Sequence, residues 1–261
     1  PYNTLGMKKV PTNNKSSKKN DGDTIWRDFV RKSIQLLKPD GYLVYIIPSI
    51  WMKPDKENIY NLLTSYEIQK LVCMTNTETN KVFNGEAQTP TCYFILKKTP
   101  SHKTIGLYDK DINQYISFSL KDNQPIPLFG SSVLYKLQKY LTLAGCIKVY
   151  KTNLPSKHTN INIVPYNGIS FKNIKSCILK KETPYLIFDY SNKPVAFYGK
   201  PKLVLSHKMY GFPFYDISGE YGISTRDSYV ITERSHKDLL KLKAFLSTNF
   251  ALYVFEATRY R

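Results

Sequence analysis

An amphipathic helix, a turn and a continuous apolar run follow one another near the start of the chain and constrain its fold most. The helix is predicted over residues 24–37, with Thr24 as its cap. Its apolar stripe is predicted to consist of Ile25, Phe29, Ile34, Leu36 and Leu37. Pro39-Asp40-Gly41 ends it, and residues 42–48 carry only apolar and aromatic side chains. Such a run predicts a buried parallel strand.

The same alternation continues along the first half of the chain. A helix near residues 54–65 precedes strands near residues 67–74 and 91–97, with short strands at residues 104–108 and 115–120. Alternating helices and apolar strands predict an α/β open sheet.

The second half has a different pattern. A short helix over residues 131–143 precedes many strand-like pieces with Pro and Gly turns between residues 146 and 232. One long amphipathic helix is predicted over residues 236–255. We therefore expect a mainly β second domain.

The chain is strongly basic, with 38 Lys and Arg residues, 20 Asp and Glu residues and a formal net charge of +18. A field of this sign attracts polyanions, of which nucleic acid is the most common. The 21 Tyr and 13 Phe residues could stack on bases while neighbouring cations hold phosphates. Solubility and ordinary packing are the alternative, but charge and aromatic content together favour a nucleic-acid partner.

The cysteine and histidine residues lack the spacing of a zinc site or a disulfide framework. Cys73, Cys92, Cys146 and Cys177 lie far apart, and the four histidines are equally scattered. We therefore expect reduced cysteines and no metal. No apolar run is long enough to span a bilayer and no signal peptide is present, which predicts an intracellular, cytoplasmic protein without a membrane partner.

Three groups of residues carry a resemblance to a known family. Pro1-Tyr2-Asn3 resembles the end of the Asn-Pro-Pro-Tyr motif of amino-methyltransferases, and Ile47-Pro48-Ser49-Ile50-Trp51 follows in the expected order. Lys81-Val82-Phe83-Asn84-Gly85, with the strand over residues 91–97, resembles the loop and hairpin after the catalytic strand. On these residues the chain resembles the DNA adenine-N6 methyltransferases of restriction–modification systems.

The resemblance implies a domain organisation. Residues 1–125 would form the C-terminal part of a Rossmann-like methyltransferase sheet, and residues 126–145 a helical linker. Residues 146–261 would form a mainly β target-recognition domain with a C-terminal helix. Within it, residues 199–204 and 215–219 resemble the recognition region, although such motifs are weak and variable.

The resemblance also implies an activity, the transfer of a methyl group from S-adenosylmethionine to the N6 amine of an adenine flipped out of duplex DNA. Pro1 and Tyr2 would belong to the catalytic motif, with Tyr2 stacked on the adenine. Phe83 lies where the family has a second aromatic residue. Ordinary packing is the alternative for both rings, and it is the interpretation that we favour for Trp26 and Trp51.

Two groups of residues are candidates for contacts with double-stranded DNA. The first is a polar loop beside the implied pocket, with Lys8, Lys9, Lys15, Lys18 and Lys19. The second is in the implied recognition domain, with His207, Lys208, Tyr210, Arg226 and Tyr229. The guanidinium group of Arg226 suits a bidentate contact with guanine. A solvated surface is the alternative for both groups.

No Phe-x-Gly-x-Gly turn occurs in the chain. The resemblance therefore places the cofactor-binding segment upstream of Pro1 and implies that this piece alone is inactive. Candidate residues for hydride transfer, hydrolysis or metal catalysis are missing. Two other functions stay open: a non-catalytic, sequence-specific DNA-binding module with a vestigial methyltransferase half, and a methyltransferase for RNA or protein glutamine. The sequence also leaves open whether the chain is monomeric or pairs with a restriction subunit.

Overall fold

The structure, a computed structural model, describes residues 25–87, 89–141, 146–180, 182–206, 211–226 and 228–260. The chain divides into two compact units, one of residues 1–135 and 257–261 and the other of residues 136–256. The described residues form a mixed α/β protein with several sheets and six α-helices, which confirms the predicted α/β class. In this described part, no helix has both the length and the apolar character needed to cross a membrane.

The first unit contains one five-stranded sheet with helices against it. In chain order its elements are α1 (Trp26–Leu36), β1 (Tyr42–Pro48), a 3₁₀ helix (Ser49–Met52), α2 (Ile59–Thr64), β2 (Tyr66–Met74), α3 (Asn76–Val82), β3 (Thr91–Pro100), β4 (Thr104–Asp109), β5 (Gln114–Ser119) and the start of α4 (Ser131–Leu141). All five strands were predicted. The helix predicted over residues 54–65 is shorter, because α2 begins only at Ile59.

The strands of this sheet lie in the order β1-β3-β2-β4-β5. β3 is antiparallel to both β1 and β2, so β1 and β2 run in the same direction. β4 is parallel to β2. The prediction that residues 42–48 form a buried parallel strand is wrong in both respects. In the described residues β1 pairs antiparallel with β3, and it exposes Tyr42, Val44 and Ile46 while burying Leu43 and Ile47.

α1 packs on the buried face of the sheet, and the row of apolar side chains that it buries is narrower than predicted. Trp26, Val30 and Ile34, spaced four residues apart, are buried, whereas Phe29 and Leu36 are exposed. The predicted cap Thr24 lies outside the described residues, and the helix begins after Ile25 without a side-chain cap.

Trp51 lies at the centre of the first unit's core. It is fully buried, its ring meets Phe94 edge to face at 5.7 Å, and its Nε1–H donates to the Cys92 Sγ at 3.1 Å. Trp26 is buried in the same core, so the prediction that both tryptophans are packing residues is confirmed.

The last residues of the chain return to the first unit. The Leu128 N–H donates to the Ala257 carbonyl at 2.7 Å, and the Tyr260 hydroxyl donates to the Ile126 carbonyl at 2.5 Å. Tyr260 is almost fully buried, and this burial raises the pKa of its hydroxyl. The buried ring and its hydrogen bond therefore fix the end of the chain on this unit.

The second unit is built mainly from strands. Its described elements after α4 are β6 (Tyr150–Lys151), β7 (Ile161–Asn162), β8 (Phe171–Lys180), β9 (Thr183–Ser191), β10 (Lys202–Ser206), β11 (Phe214–Asp216), β12 (Gly222–Ile223), β13 (Ser228–Thr232), α5 (His236–Leu246) and α6 (Asn249–Ala257). They form two four-stranded sheets, β11-β10-β13-β6 and β12-β8-β9-β7.

β10 is the central strand of the second unit's core. Val204 packs in a cluster with Ile223 and Val230, whereas Leu203 and Leu205 pack in another with Leu239 of α5. Because successive side chains point to opposite faces, β10 is buried on both.

The prediction of one helix over residues 236–255 is wrong, because the helix is interrupted between α5 and α6. The Ser247 hydroxyl donates to the Lys243 carbonyl at 2.8 Å. The Thr248 hydroxyl donates to the Phe245 carbonyl at 2.7 Å and accepts from the Ala251 N–H at 3.2 Å. Hydroxyl groups that bond to the backbone in this way compete with continuous helix.

Candidate active-site edge and nucleic-acid interface

The carboxyl ends of β1 and β2 define a candidate active-site edge. β1 ends at Pro48 and β2 at Met74, and because the two strands run in the same direction these ends lie at one edge of the sheet. β3 begins at the same edge with Thr91, which pairs with both Pro48 and Met74. In open α/β sheets, ligands bind outside the carboxyl ends of the strands.

A short helix that the sequence analysis missed, α3, lies at this edge directly after β2. Thr75 and Glu78 form a capping box: the Glu78 N–H donates to the Thr75 Oγ1 at 3.3 Å, and the Thr75 N–H donates to the Glu78 Oε2 at 2.7 Å. This reciprocal pair satisfies two backbone donors that a helix start leaves without partners. The spacing Thr75-x-x-Glu78 was therefore a usable signal for the helix.

The Glu78 carboxylate also binds Lys110, from the turn after β4. Burial alone would raise the pKa of Glu78. The hydrogen bonds from Lys110 and Thr75 outweigh this effect, so the pKa of Glu78 lies below its ordinary value. The carboxylate thus joins α3 to the turn after β4.

A second contact holds α3 against β3. The hydroxyl oxygens of Thr79 and Thr91 lie 2.9 Å apart, and the Thr91 N–H donates to the Thr79 Oγ1 at 3.2 Å. Both residues are buried. Nearby, the Ser49 N–H donates to the Pro90 carbonyl at 2.9 Å, so the ends of β1, α3 and β3 are held together by hydrogen bonds.

Phe83, the predicted second aromatic residue of the active site, lies directly after α3. Its N–H donates to the Thr79 carbonyl at 3.0 Å, and its side chain is half-buried. The chain then turns through Asn84 and Gly85, with φ of 48° and 83°, and the Gly85 N–H donates to the Asn80 carbonyl at 2.8 Å. A half-buried ring on a hydrogen-bonded turn could offer one face to a ligand, but its contact with a base stays a prediction.

Most of the other predicted site residues lie outside the described part of the chain. These are Pro1, Tyr2, Lys8, Lys9, Lys15, Lys18, Lys19, His207, Lys208 and Tyr210. Arg226 is exposed on the loop before β13. Tyr229 is half-buried in β13, where it packs against the cluster that contains Leu239. Their roles in DNA binding stay predictions.

The second unit also pairs cations with aromatic rings at positions that the sequence did not single out. The Lys172 Nζ lies 4.0 Å from the centre of the Phe188 ring, and the Lys180 Nζ lies 3.5 Å from the centre of the Tyr185 ring. Lys172 is directly opposite Tyr190, and Lys180 directly opposite Thr183. Each lysine therefore reaches a diagonal neighbour on the opposite strand, and only the strand register reveals the pair.

The second unit has a positive charge of its own. Residues 136–256 contain 18 Lys and Arg residues and eight Asp and Glu residues, so their net charge is +10. In the described part of the protein, no three His, Cys, Asp or Glu side chains are grouped so that they could hold a metal ion. Cations beside aromatic rings are the combination that nucleic-acid surfaces use.

The fold defines the class as an α/β protein with a candidate active-site edge at the carboxyl ends of β1 and β2. Comparison with known proteins gives a family match for the first part of the chain. Residues 1–83 match the family described as Eco57I restriction-modification methylase. The match covers about a third of the chain, from Pro1 to Phe83, and supports a restriction-modification methylase family for this part. No curated protein matches the chain.

Proposed function

We propose that this protein is a site-specific DNA methyltransferase that acts on the N6 amine of adenine in duplex DNA. The observation that carries the proposal is the match of residues 1–83 to a restriction-modification methylase family. The matched range covers β1, β2 and α3 and ends at Phe83, so it includes most of the candidate active-site edge. Adenine as the target rests on the resemblance of Pro1-Tyr2 to the Asn-Pro-Pro-Tyr motif.

Methyl transfer to an exocyclic amine explains why aromatic residues are needed here. The amine is a poor nucleophile because its lone pair is delocalised into the ring, and it is inaccessible inside a duplex. The base must be flipped out and held in a fixed orientation. In the proposal the Phe83 ring contacts the flipped adenine, and Tyr2 stacks on its face, where an electron-rich ring favours the positive charge that develops on the base.

S-adenosylmethionine is the methyl donor that the resemblance implies, and it supplies an electrophilic methyl group when bound. The polar side chains of Thr75, Glu78 and Thr79 already bond within the edge or to Lys110. We therefore assign only the contact with the base to this edge.

Duplex DNA as the partner is supported by charge and by the surface of the second unit. The net charge of +18 and the lysine–aromatic pairs of β8 and β9 suit a polyanion. Affinity that depends on phosphate contacts should fall steeply with salt, since bound counterions are released.

The test is to measure N6-methyladenine in the DNA of cells that express the full-length polypeptide. Four forms are compared: wild type, Tyr2→Ala, Phe83→Ala and Val82→Ala. Val82 neighbours Phe83 and is 60% exposed, so its truncation is a matched control. Contacts between an aromatic ring and a base contribute about 1–3 kcal/mol each. We expect Phe83→Ala to slow methylation about 5- to 150-fold, Tyr2→Ala to abolish most of it, and Val82→Ala to leave it unchanged.

Other outcomes would contradict the proposal. No methylated adenine from a folded, DNA-binding wild type would favour the non-catalytic DNA reader. Methylation of RNA or of protein glutamine, with DNA unmodified, would change the substrate class. Equal activity of Phe83→Ala and Val82→Ala would remove Phe83 from the active site.

A further inference from the structure

The β8–β9 hairpin extends beyond the sheet to which it belongs. β12 pairs with β8 at Asn173 and Ile174, and β7 pairs with β9 at Tyr190 and Ser191. Over residues 176–180 and 183–187, which we call the ribbon, β8 and β9 pair with each other, and no third strand pairs with them among the described residues. Five residue pairs at about 3.3 Å per residue give the ribbon a reach of roughly 16 Å.

At the base of the ribbon one face packs on the core, although Leu179 on the same face is 38% exposed nearer the tip. Cys177 is buried and Leu186 packs against the same core cluster. On the opposite face, Ile178, Tyr185 and Ile187 are 40%, 48% and 42% exposed. Ile178 and Tyr185 are directly opposite each other, so the three side chains form one patch. Contiguous exposed apolar side chains are a feature of interaction surfaces.

The charges beside this patch indicate which partner it binds. The Lys180 Nζ lies 3.5 Å from the centre of the Tyr185 ring, and Lys175 is exposed at the bulge where the ribbon begins. The acidic residues of the hairpin are Glu182, near the tip, and Asp189, which is 96% buried. The ribbon is therefore basic, as is the second unit as a whole. This charge is complementary to a polyanion.

We propose that the ribbon binds duplex DNA by entering the major groove. This inference rests on the proposed function, because it needs DNA as the partner. The major groove is about 12 Å wide and admits a two-stranded ribbon that lies with one face toward the floor of the groove. Ile178, Tyr185 and Ile187 face the base edges, where apolar groups contact thymine methyl groups. Lys175 and Lys180 bind the flanking phosphates.

The test measures the binding of a fluorescent, mixed-sequence 30-base-pair duplex by anisotropy over a series of salt concentrations. The ribbon variant is Lys180→Ala/Tyr185→Ala. The matched control is Lys241→Ala/Phe245→Ala, which removes one lysine and one exposed aromatic ring from α5 in the same unit. Loss of one phosphate contact lowers the slope of log affinity against log salt by about 0.9. We expect the ribbon variant to lose at least tenfold in affinity together with this change of slope, and the control to stay within twofold of the wild type.

A shortened ribbon gives a second, independent variant. Residues 178–185 are replaced by Asn-Gly, which joins the paired residues Cys177 and Leu186 through a two-residue hairpin turn. Far-UV circular dichroism verifies that it folds, and we expect the same loss of DNA affinity.

The outcomes separate the ribbon from the proposed function. Wild-type protein that binds no duplex at low salt would overturn DNA as the partner, and the ribbon's role with it. Wild-type protein that binds DNA, with both ribbon variants binding equally well, would overturn the ribbon alone. Unchanged DNA affinity combined with a change of oligomeric state in the ribbon variants would show that the patch binds protein instead.

Discussion

The second unit contains a buried ion pair between Lys202 and Asp216, and we expect the loss of either partner alone to destabilise this unit strongly. The Lys202 Nζ and the Asp216 Oδ2 are 2.5 Å apart, and the two side chains are 0% and 2% exposed. The two residues are directly opposite each other on β10 and β11. The carboxylate also accepts the N–H groups of Glu220 and Tyr221 at 3.0 and 3.1 Å, so it holds the loop after β11 as well.

The loss in free energy of unfolding depends on which buried group each substitution leaves without its partner. Burial lowers the pKa of Lys202, and the neighbouring carboxylate offsets part of that shift. Lys202→Met leaves a buried carboxylate with only its two backbone donors, and Asp216→Asn leaves a buried ammonium group without its counter-charge. Removal of one partner of a buried pair costs about 3–5 kcal/mol. The double variant buries no charge and loses one hydrogen bond to the loop, so we expect it to cost only about 1–2 kcal/mol.

The assay is urea denaturation followed by far-UV circular dichroism for both single variants and the double variant. Lys200→Met is the control, because Lys200 makes an exposed ion pair with Glu233 at 3.7 Å; such pairs contribute little, and its midpoint should not move. Amide hydrogen exchange of residues 216–221 gives a local measure and should accelerate in Asp216→Asn. A double variant that loses as much stability as the two single variants together would contradict this expectation. So would a Lys202→Met variant that is as stable as Lys200→Met.

Two further predictions concern the capping box and the thiols. In the folded protein the pKa of Glu78 lies below its ordinary value of 4.5. The ionised carboxylate therefore stabilises the folded state fully above pH 4.5, and this contribution is lost as the pH falls through the folded pKa. The melting temperature of Glu78→Gln should therefore lie below that of the wild type at neutral pH and approach it in acid, and a constant difference would contradict this. Burial raises the pKa of Cys92 to about 12 and that of Cys177 to about 11, whereas Cys146 is exposed. Because the thiolate is the reactive form, an aromatic disulfide reagent at pH 8 should label Cys146 quickly. The buried thiols of Cys73, Cys92 and Cys177 should react only after unfolding. Fast labelling of several thiols in the folded protein would contradict this prediction.

The sequence predicted every strand of the first unit, but not how β1 is paired and covered. A continuous apolar run such as residues 42–48 is typical of a strand that is buried on both faces. In the structure Leu43 and Ile47 face the core while Val44 and Ile46 are exposed. The direction of pairing depends on β3, which is far away in sequence, so no local pattern contains that information.

α3 was missed for a different reason. Asn76–Val82 contains one large apolar residue, Val82, and that residue is exposed, so the helix has no hydrophobic periodicity to find. It is held by the Thr75–Glu78 capping box and by the bond between Thr79 and Thr91. Only the first of these is a local signal in the sequence. Phe83 could therefore be predicted as a candidate residue, but not the helix that precedes it.

The second unit shows why residue type alone does not tell which aromatic rings are exposed. Tyr229 and Tyr185 both lie in strands and both have the ring that a DNA contact requires. β13 lies between β10 and β6, and Tyr229 packs against the cluster beneath α5. Tyr185 lies in a segment without a third strand in the described residues, and its exposed ring is covered on one side by Lys180. The difference between the two rings arises from strand order and from a diagonal pairing across β8 and β9, both of which exist only once the chain has folded. Composition could therefore predict that this protein binds a polyanion, whereas the choice of the residues that would touch it depends on the register of the hairpin.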